Sequence, residues 1–326
     1  MKSIISVDKL TKKFSGLNAV DEISFDVKEG EFFGFVGPNG AGKTTTINML
    51  CTLIRPTAGT ANVAGYDVAS QSSKVRENIG LVFQDTTLDD RLTAWENLEF
   101  HSVVYHVPAR ERKQRIDHVF DLVELSNHKN DVISTFSGGM KRRLEVARGL
   151  LHSPRVLFLD EPTIGLDPQT RRRIWDYLAR LRSETNMTIF LTTHYLDEAE
   201  PCDRVGIIDH GKLIAIDTPD ALKSRVGADV IHLSTTDDEK MKNLLETKYD
   251  VTVKDVKGEL AFEKENAEEF LIRVVEDFKP YLTSIGVRRP TLDDVFLKLT
   301  GREIRDEDVP PKHSMSSIAS RVKGGR

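Results

Sequence analysis

The chain has 326 residues, 39% hydrophobic and 30% charged, enough apolar material for two domains with cores of their own. Its 46 basic and 51 acidic side chains give a net charge of -5, so no nucleic-acid partner is expected. Cys51 and Cys202 are the only cysteines and form no C-x-x-C or Cys/His cluster, which argues against structural zinc and for a reducing, cytoplasmic compartment.

The opening MKSIISVDKL has too short an apolar stretch for a signal peptide, and no window approaches the roughly 20 apolar residues that span a bilayer. Work at a membrane would need spans from another polypeptide. Residues 4–36 alternate apolar and polar around turns and predict short strands. A helix is predicted behind the glycine loop from Thr44 to Leu53, then a strand at NIGLVFQ (78–84). Helical periodicity dominates from Leu92 to Leu151, with Ile116, Phe120 and Val123 on one face. RVLFLDEP (155–162) and MTIFLTTH (187–194) are apolar on both faces, the mark of buried parallel strands. Between them RRIWDYLARL is an amphipathic helix, and RVGIIDHGKLIAID reads as a hairpin turning at His210-Gly211.

Beyond Pro219 the order becomes β-α-β-β-α-β, a split ferredoxin-like pattern, followed by the helix TLDDVFLKLTG. This places an α/β domain at 1–222 with a helical subdomain at about 85–150. A small α+β domain follows at 223–303, and residues 304–326 are too rich in Pro, Ser, Gly and basic residues to fold.

GPNGAGKT (37–44) matches G-x-x-x-x-G-K-S/T, follows the strand FFGFV and opens a helix. Its glycines let backbone N–H groups converge on phosphates, Lys43 reaches the β/γ oxygens, and the Thr44 hydroxyl can hold Mg²⁺. Asp160 at the end of a buried strand can hold Mg²⁺ through water, and Glu161 is placed to polarise an attacking water. Gln84 and His194 also end strands; each is either part of the chemistry or an ordinary polar residue. Phe14 either stacks on an adenine or anchors a loop. Ser137, Gly138 and Gly139 open a helix and form a second ready anion site in a chain that already has one.

Together these residues resemble the ATP-binding subunits of ABC transporters. GPNGAGKTT is similar to the Walker A motif, VLFLDEP to the Walker B and FSGGMKRR to the family signature. Gln84 falls at the Q-loop, GLDP (165–168) at the D-loop, His194 at the switch histidine and Phe14 at the A-loop. The resemblance implies a P-loop ATPase fold with a mixed sheet. It implies ATP held by Phe14, Gly37, Pro38, Asn39, Gly40, Ala41, Gly42, Lys43, Thr44 and Thr45. Mg²⁺ would sit on Thr44, Gln84 and Asp160, with Glu161 as general base and His194 as γ-phosphate sensor. Phe136 and Met140 stand where Leu and Gln are commoner in the signature, and neither replaces a phosphate ligand.

The resemblance also explains the second anion site. Two chains would pair head to tail in the ATP-bound state, Ser137, Gly138 and Gly139 of one closing over ATP on the other, with Asp167 linking the pair. Met140 and RRPTLDDVFLKLTGRE point to the daunorubicin-resistance subgroup. The implied function is export of a drug, antibiotic or lipid-like substrate through a separate permease, from the cytoplasmic face of the membrane. The alternative is a soluble ATPase of the same type acting on ribosomes or DNA. One Walker A, one signature and no sustained heptads between Lys43 and Ser137 argue against it.

Overall fold

A computed structural model of the chain describes residues 2–227, 229–256, 259–264 and 267–301. The segment 304–326 and the Lys257-Gly258 turn lie outside the described residues. Apolar–polar alternation at the start produces two long antiparallel strands, β1 (Ser3–Phe14) and β2 (Leu17–Lys28), rather than short ones. Register shifts along the pair, with left-handed backbone at Lys9 and Glu22, absorb extra residues and hide the continuity of the strands in the sequence.

Next come β3 (Phe32–Val36), α1 (Lys43–Leu50), β4 (Ala58–Val63) and β5 (Tyr66–Asp67). The strands β2-β1-β4-β5 form one antiparallel sheet. Strand β4 was not expected from sequence: in AGTANV only Ala61 and Val63 are buried, too few for an alternating signal.

The helical stretch opens with α2 (Ser72–Asn78) and β6 (Ile79–Val82), then α3 (Ala94–Val104), α4 (Ala109–Leu122) and α5 (Gly138–Leu150). Thr93 starts α3 through a capping box with Glu96. Then follow β7 (Val156–Asp160), α6 (Pro168–Thr185), β8 (Thr188–Thr193), β9 (Arg204–Asp209) and β10 (Lys212–Asp217). The main sheet runs β10-β9-β3-β8-β7-β6, parallel throughout except for the edge strand β10. The β9–β10 hairpin turns at His210 and Gly211, both with positive φ, as the sequence pattern predicts.

Every residue of β3, β7 and β8 is buried because consecutive side chains serve two cores. Phe33, Phe35, Phe158 and Phe190 share a core with the antiparallel sheet, the first two and Phe190 packing on Phe25 and Phe158 on Phe190. Phe32, Leu157, Leu159, Ile189 and Leu191 face the other way, in the core shared with α4, α5 and α6. No helix among the described residues is long and apolar enough to cross a membrane.

The chain continues through α7 (Pro219–Ser224), β11 (Asp229–Thr235), α8 (Asp238–Tyr249), β12 (Lys254–Val256), β13 (Glu259–Lys264), α9 (Ala267–Phe278), β14 (Leu282–Arg288) and α10 (Leu292–Thr300). The sheet order β12-β13-β11-β14, antiparallel at every pairing, is the ferredoxin-like arrangement. Its separate core gathers Ile231, Leu233, Leu245, Phe262 and Val274.

Two details differ from the sequence-based division. Residue 222 falls inside α7, with Leu222 buried in the larger core. Helix α10, assigned by sequence to the small domain, also packs into the larger core through Leu292, Val295 and Phe296. Lys298 Nζ fastens it by donating to the carbonyls of Arg225 (2.9 Å) and Val226 (2.7 Å) beyond α7. Periodicity shows that a helix has an apolar face but not which of two cores that face enters.

Removing the Phe296 ring should therefore destabilise the larger unit. Phe296→Ala is expected to cost about 3–5 kcal/mol in denaturant unfolding. The probe is intrinsic tryptophan fluorescence, since Trp95 and Trp175, the only two tryptophans, both pack against that core. An unchanged tryptophan transition would show that α10 does not support the larger core.

Candidate active site

The parallel strands β3, β8, β7 and β6 lie side by side, and the loops that leave their carboxyl ends carry the predicted residues to one edge of the sheet. After β3 the loop Gly37–Gly42 wraps the start of α1. Gly42 has φ 108°, and a Cβ there would meet the Ala19 carbonyl oxygen at 2.5 Å, so only glycine fits this turn. Gly40 and Thr44 are exposed and Asn39 and Thr45 half-buried, while Gly37, Pro38, Ala41 and Lys43 are buried.

Lys43 Nζ donates to the carbonyls of Gly37 (2.7 Å) and Pro38 (3.0 Å) and pairs with Glu161 Oε1 at 3.1 Å. Burial pulls its pKa below the ordinary lysine value, with Glu161 opposing the shift. The second oxygen of Glu161 lies 3.1 Å from His194 Nδ1. Burial works against the Glu161 charge, but the His194 contact and the Lys43 ammonium outweigh it and hold the carboxyl below its usual range. Glu161 takes a left-handed φ of 47°, with its N–H held by Thr192 O and Thr192 Oγ1. A non-glycine residue in this conformation at a loop of polar groups is a local constraint of the kind found at functional sites.

Asp160 sits behind this pair. Its Oδ1 accepts from Thr192 Oγ1 (2.6 Å) and Thr44 Oγ1 (3.3 Å). Burial raises its pKa, and the two hydroxyls partly offset that. The Thr44 hydroxyl and the Asp160 carboxylate are hard oxygen donors suited to Mg²⁺, which takes few protein ligands and completes its shell with phosphate and water. Among the described residues no group of three His, Cys, Asp or Glu is arranged for a metal, so a dense protein-only cage is not the design. Gln84 lies exposed just past β6, and Phe14 ends β1 exposed, with Lys12 Nζ 5.0 Å from its ring centre.

The second glycine motif is elsewhere. Ser137 caps α5, accepting from Met140 N–H at 3.3 Å, and Ser137 and Gly138 are exposed. Gly139 packs so closely on Thr170 of α6 that a Cβ would collide with that side chain. Gly138 in turn lies against Leu166, just ahead of α6. Phe136 is buried and Met140 leans on the core, so both departures from the commoner signature point away from the exposed helix end. Asp167 is exposed and caps α6, accepting from the N–H groups of Gln169 and Thr170 and from Thr170 Oγ1.

Sequence reasoning missed Thr192, which braces both Asp160 and Glu161, and Arg142. Arg142 is buried and donates to the carbonyls of Pro162 (2.6 Å), Phe83 and Asp160 (3.3 Å) while pairing with Glu145 at 3.0 Å. Glu145 in turn accepts from Thr87 N–H, so α5 is tied to the loop that holds Gln84. Arg142 lies in the basic run KRR, where composition alone does not tell a buried arginine from a solvated one. The only sequence signal was its i,i+3 spacing to Glu145.

Comparison with known proteins agrees with this architecture. The ABC transporter family description matches residues 20–164, and that of the DrrA1-3-like ATP-binding protein C-terminal domain matches residues 218–300. The linearmycin resistance ATP-binding protein LnrL of Bacillus subtilis is 38% identical over 93% of this chain and 100% of its own length. The daunorubicin/doxorubicin resistance ATP-binding protein DrrA of Streptomyces peucetius is 37% identical over 97% of this chain and 98% of its own. Among solved structures, a dimeric post-hydrolysis state of an ATP-binding cassette bound to ADP and Pi superposes with a TM-score of 0.59 at 28% identity. It covers 66% of this chain and 98% of that one.

The Arg142 node generates a test of its own. Arg142→Ala leaves Glu145 buried without its cation and should cost about 3–5 kcal/mol of stability in denaturant unfolding. Arg142→Lys keeps the charge but lacks the planar fork that spans several acceptors, and should fall in between. A loss of under about 1 kcal/mol in the alanine variant, the range of an exposed pair, would show that the node is not structural.

Proposed function

The chain belongs to the ABC transporter family of ATP-binding proteins, and from that premise we propose how its residues drive export through a separate membrane permease. The observation that carries the reading is the buried succession Lys43–Glu161–His194, joined at 3.1 Å on either side of the carboxylate. The chain is an ATPase, and the reaction is in-line attack of water on the γ-phosphorus. The bond to the ADP oxygen breaks, and ADP and inorganic phosphate leave.

Glu161 accepts the proton of the attacking water, since its neighbours keep it ionised. Lys43 exchanges its loop carbonyl and Glu161 partners for β/γ oxygens, and backbone N–H groups between Gly40 and Thr45 hold the rest of the triphosphate. Thr44, Gln84 and Asp160 hold Mg²⁺, which supplies neutralisation of the phosphate charge. His194 senses the γ-phosphate, and the exposed Phe14 ring stacks on adenine.

Ser137, Gly138 and Gly139 serve a second copy of the chain. Ser137 and Gly138 at this helix end are exposed, and the similar cassette bound to ADP and Pi is a dimer. In the ATP-bound homodimer this end closes over the partner's γ-phosphate and completes the surround of transition-state charge. Asp167 lies beside it at the start of α6. The two resistance proteins that match along their whole length support a drug, antibiotic or lipid-like cargo. The chain then works at the cytoplasmic face of the membrane, held there by the permease.

Glu161→Gln keeps the shape and removes the base, so ATP should still bind while turnover collapses by about 100-fold or more, the range for general acid–base catalysis. Near wild-type turnover would remove Glu161 from the mechanism. Action in trans is tested by forced heterodimers in a single turnover. A Lys43→Ala chain paired with a Ser137→Arg chain retains one intact composite site and should hydrolyse ATP. Wild type paired with the double mutant has a defect in both sites and should not. The reverse pattern would show that the signature serves its own chain.

A further inference from the structure

Glu198 lies in the 3-10 turn Leu196–Ala199, four residues past His194, and belongs to none of the motifs. It is nevertheless only 3% exposed. Its Oε1 accepts from the Thr163 hydroxyl, and its Oε2 accepts from Thr193 Oγ1 at 2.6 Å. Arg171 Nε stands 3.5 Å from Oε1. A carboxylate this deep is costly unless several donors surround it, and here every donor arrives from a different element.

Those elements are the ones that carry the chemistry. Thr163 is two residues beyond Glu161, and Thr193 directly precedes His194. Arg171 is in the first turn of α6, its N–H bonded to the Asp167 carbonyl at 2.9 Å. A second contact runs in parallel: the Arg171 guanidinium lies 4.3 Å from the Tyr195 ring centre, and that ring lies 4.0 Å from the His194 ring. Thr192 ties the end of β8 to Asp160 and Glu161, and Glu198 joins the same two segments further along, at Thr163 and Thr193, with one side chain.

We infer that Glu198 is a positioning residue for ATP hydrolysis, its carboxylate setting the segments that carry Glu161, His194 and Asp167 against one another. The inference rests on the roles proposed above for Glu161 and His194. It also gives a route by which a partner chain pressing on the start of α6 displaces the base: through Arg171 to Glu198, and from there to both threonines.

The test is steady-state ATPase kinetics of the full chain with Glu198→Ala, Glu198→Gln, Thr163→Val, Thr193→Val and Glu161→Gln. Glu198→Ala should lower kcat about tenfold to a hundredfold, the cost of a small misplacement of reacting groups. KM for ATP should stay within about twofold, because nucleotide binding is not what is lost. Glu198→Gln keeps the shape and one acceptor and should restore part of kcat. In single turnover, Glu198→Ala added to Glu161→Gln should cost much less than it does alone, since the base is gone and only the placement of His194 and Asp167 is left to lose.

Should Glu198→Ala fail to fold, the two valine variants, each lacking one hydroxyl at nearly constant shape, carry the test by lowering kcat at constant KM. Wild-type kcat in both valine variants beside an inactive Glu161→Gln would overturn the positioning role alone. A raised KM with unchanged kcat, or a full further loss in the double mutant, would do the same. Near wild-type turnover of Glu161→Gln would remove the base itself, and this role of Glu198 with it.

Discussion

Burying two consecutive carboxylates at the end of β7 is the constraint to which the rest of the larger unit answers. Asp160 and Glu161 are 4% and 6% exposed, and neither can stay ionised there without donors. The donors come from two neighbouring segments: Thr192 and His194 at the end of β8, and Lys43 and Thr44 at the start of α1, which follows β3. The order β3-β8-β7 is what puts them within reach. A slip of one residue in any of these parallel pairings would exchange the two faces of a strand and turn its apolar side chains into the wrong core.

A second tier of buried charge surrounds the first. Arg142 and Glu145 on α5 gather the carbonyls of Asp160, Pro162 and Phe83, and Glu198 gathers Thr163 and Thr193. Both groups bind main-chain or hydroxyl partners in the loops that flank the carboxylates, so movement of α5 or α6 reaches the site through hydrogen bonds rather than through loose packing. This suits the proposed head-to-tail dimer, in which the starts of α5 and α6 would answer to a second chain. The exposed ends of α5 and α6 are where that chain would press, and their buried side chains lead inward to Glu161.

The ferredoxin-like unit has its own core, yet the chain returns after it to bury α10 beside Leu222 and the turn at Leu196–Ala199. The return joins the small domain to the larger one at two places in the chain, at α7 and at α10. It sets an apolar contact from the C-terminal region directly behind the turn that carries Glu198. Among the described residues between β10 and β11, α7 fills most of the interval.

Much of this was legible without coordinates. Glycine spacing, the doubly apolar runs VLFLD and TIFLTT, and the β-α-β-β-α-β order each follow from local rules: which residues tolerate a turn, which period a buried face requires, and where a helix can begin. Those rules act over a few residues, and the motif at 37–44, Asp160 and Glu161 obey them, whereas His194 took its role only from the family resemblance. What the tertiary structure alone decided is which distant groups share a charge. That Lys43 faces Glu161, that Arg142 in a basic run is buried, that Glu198 holds two threonines 30 residues apart in the chain, and that α10 enters the larger core are all contacts between segments remote in sequence. The desolvation of a charge depends on everything packed around it, and no local period in the sequence encodes that.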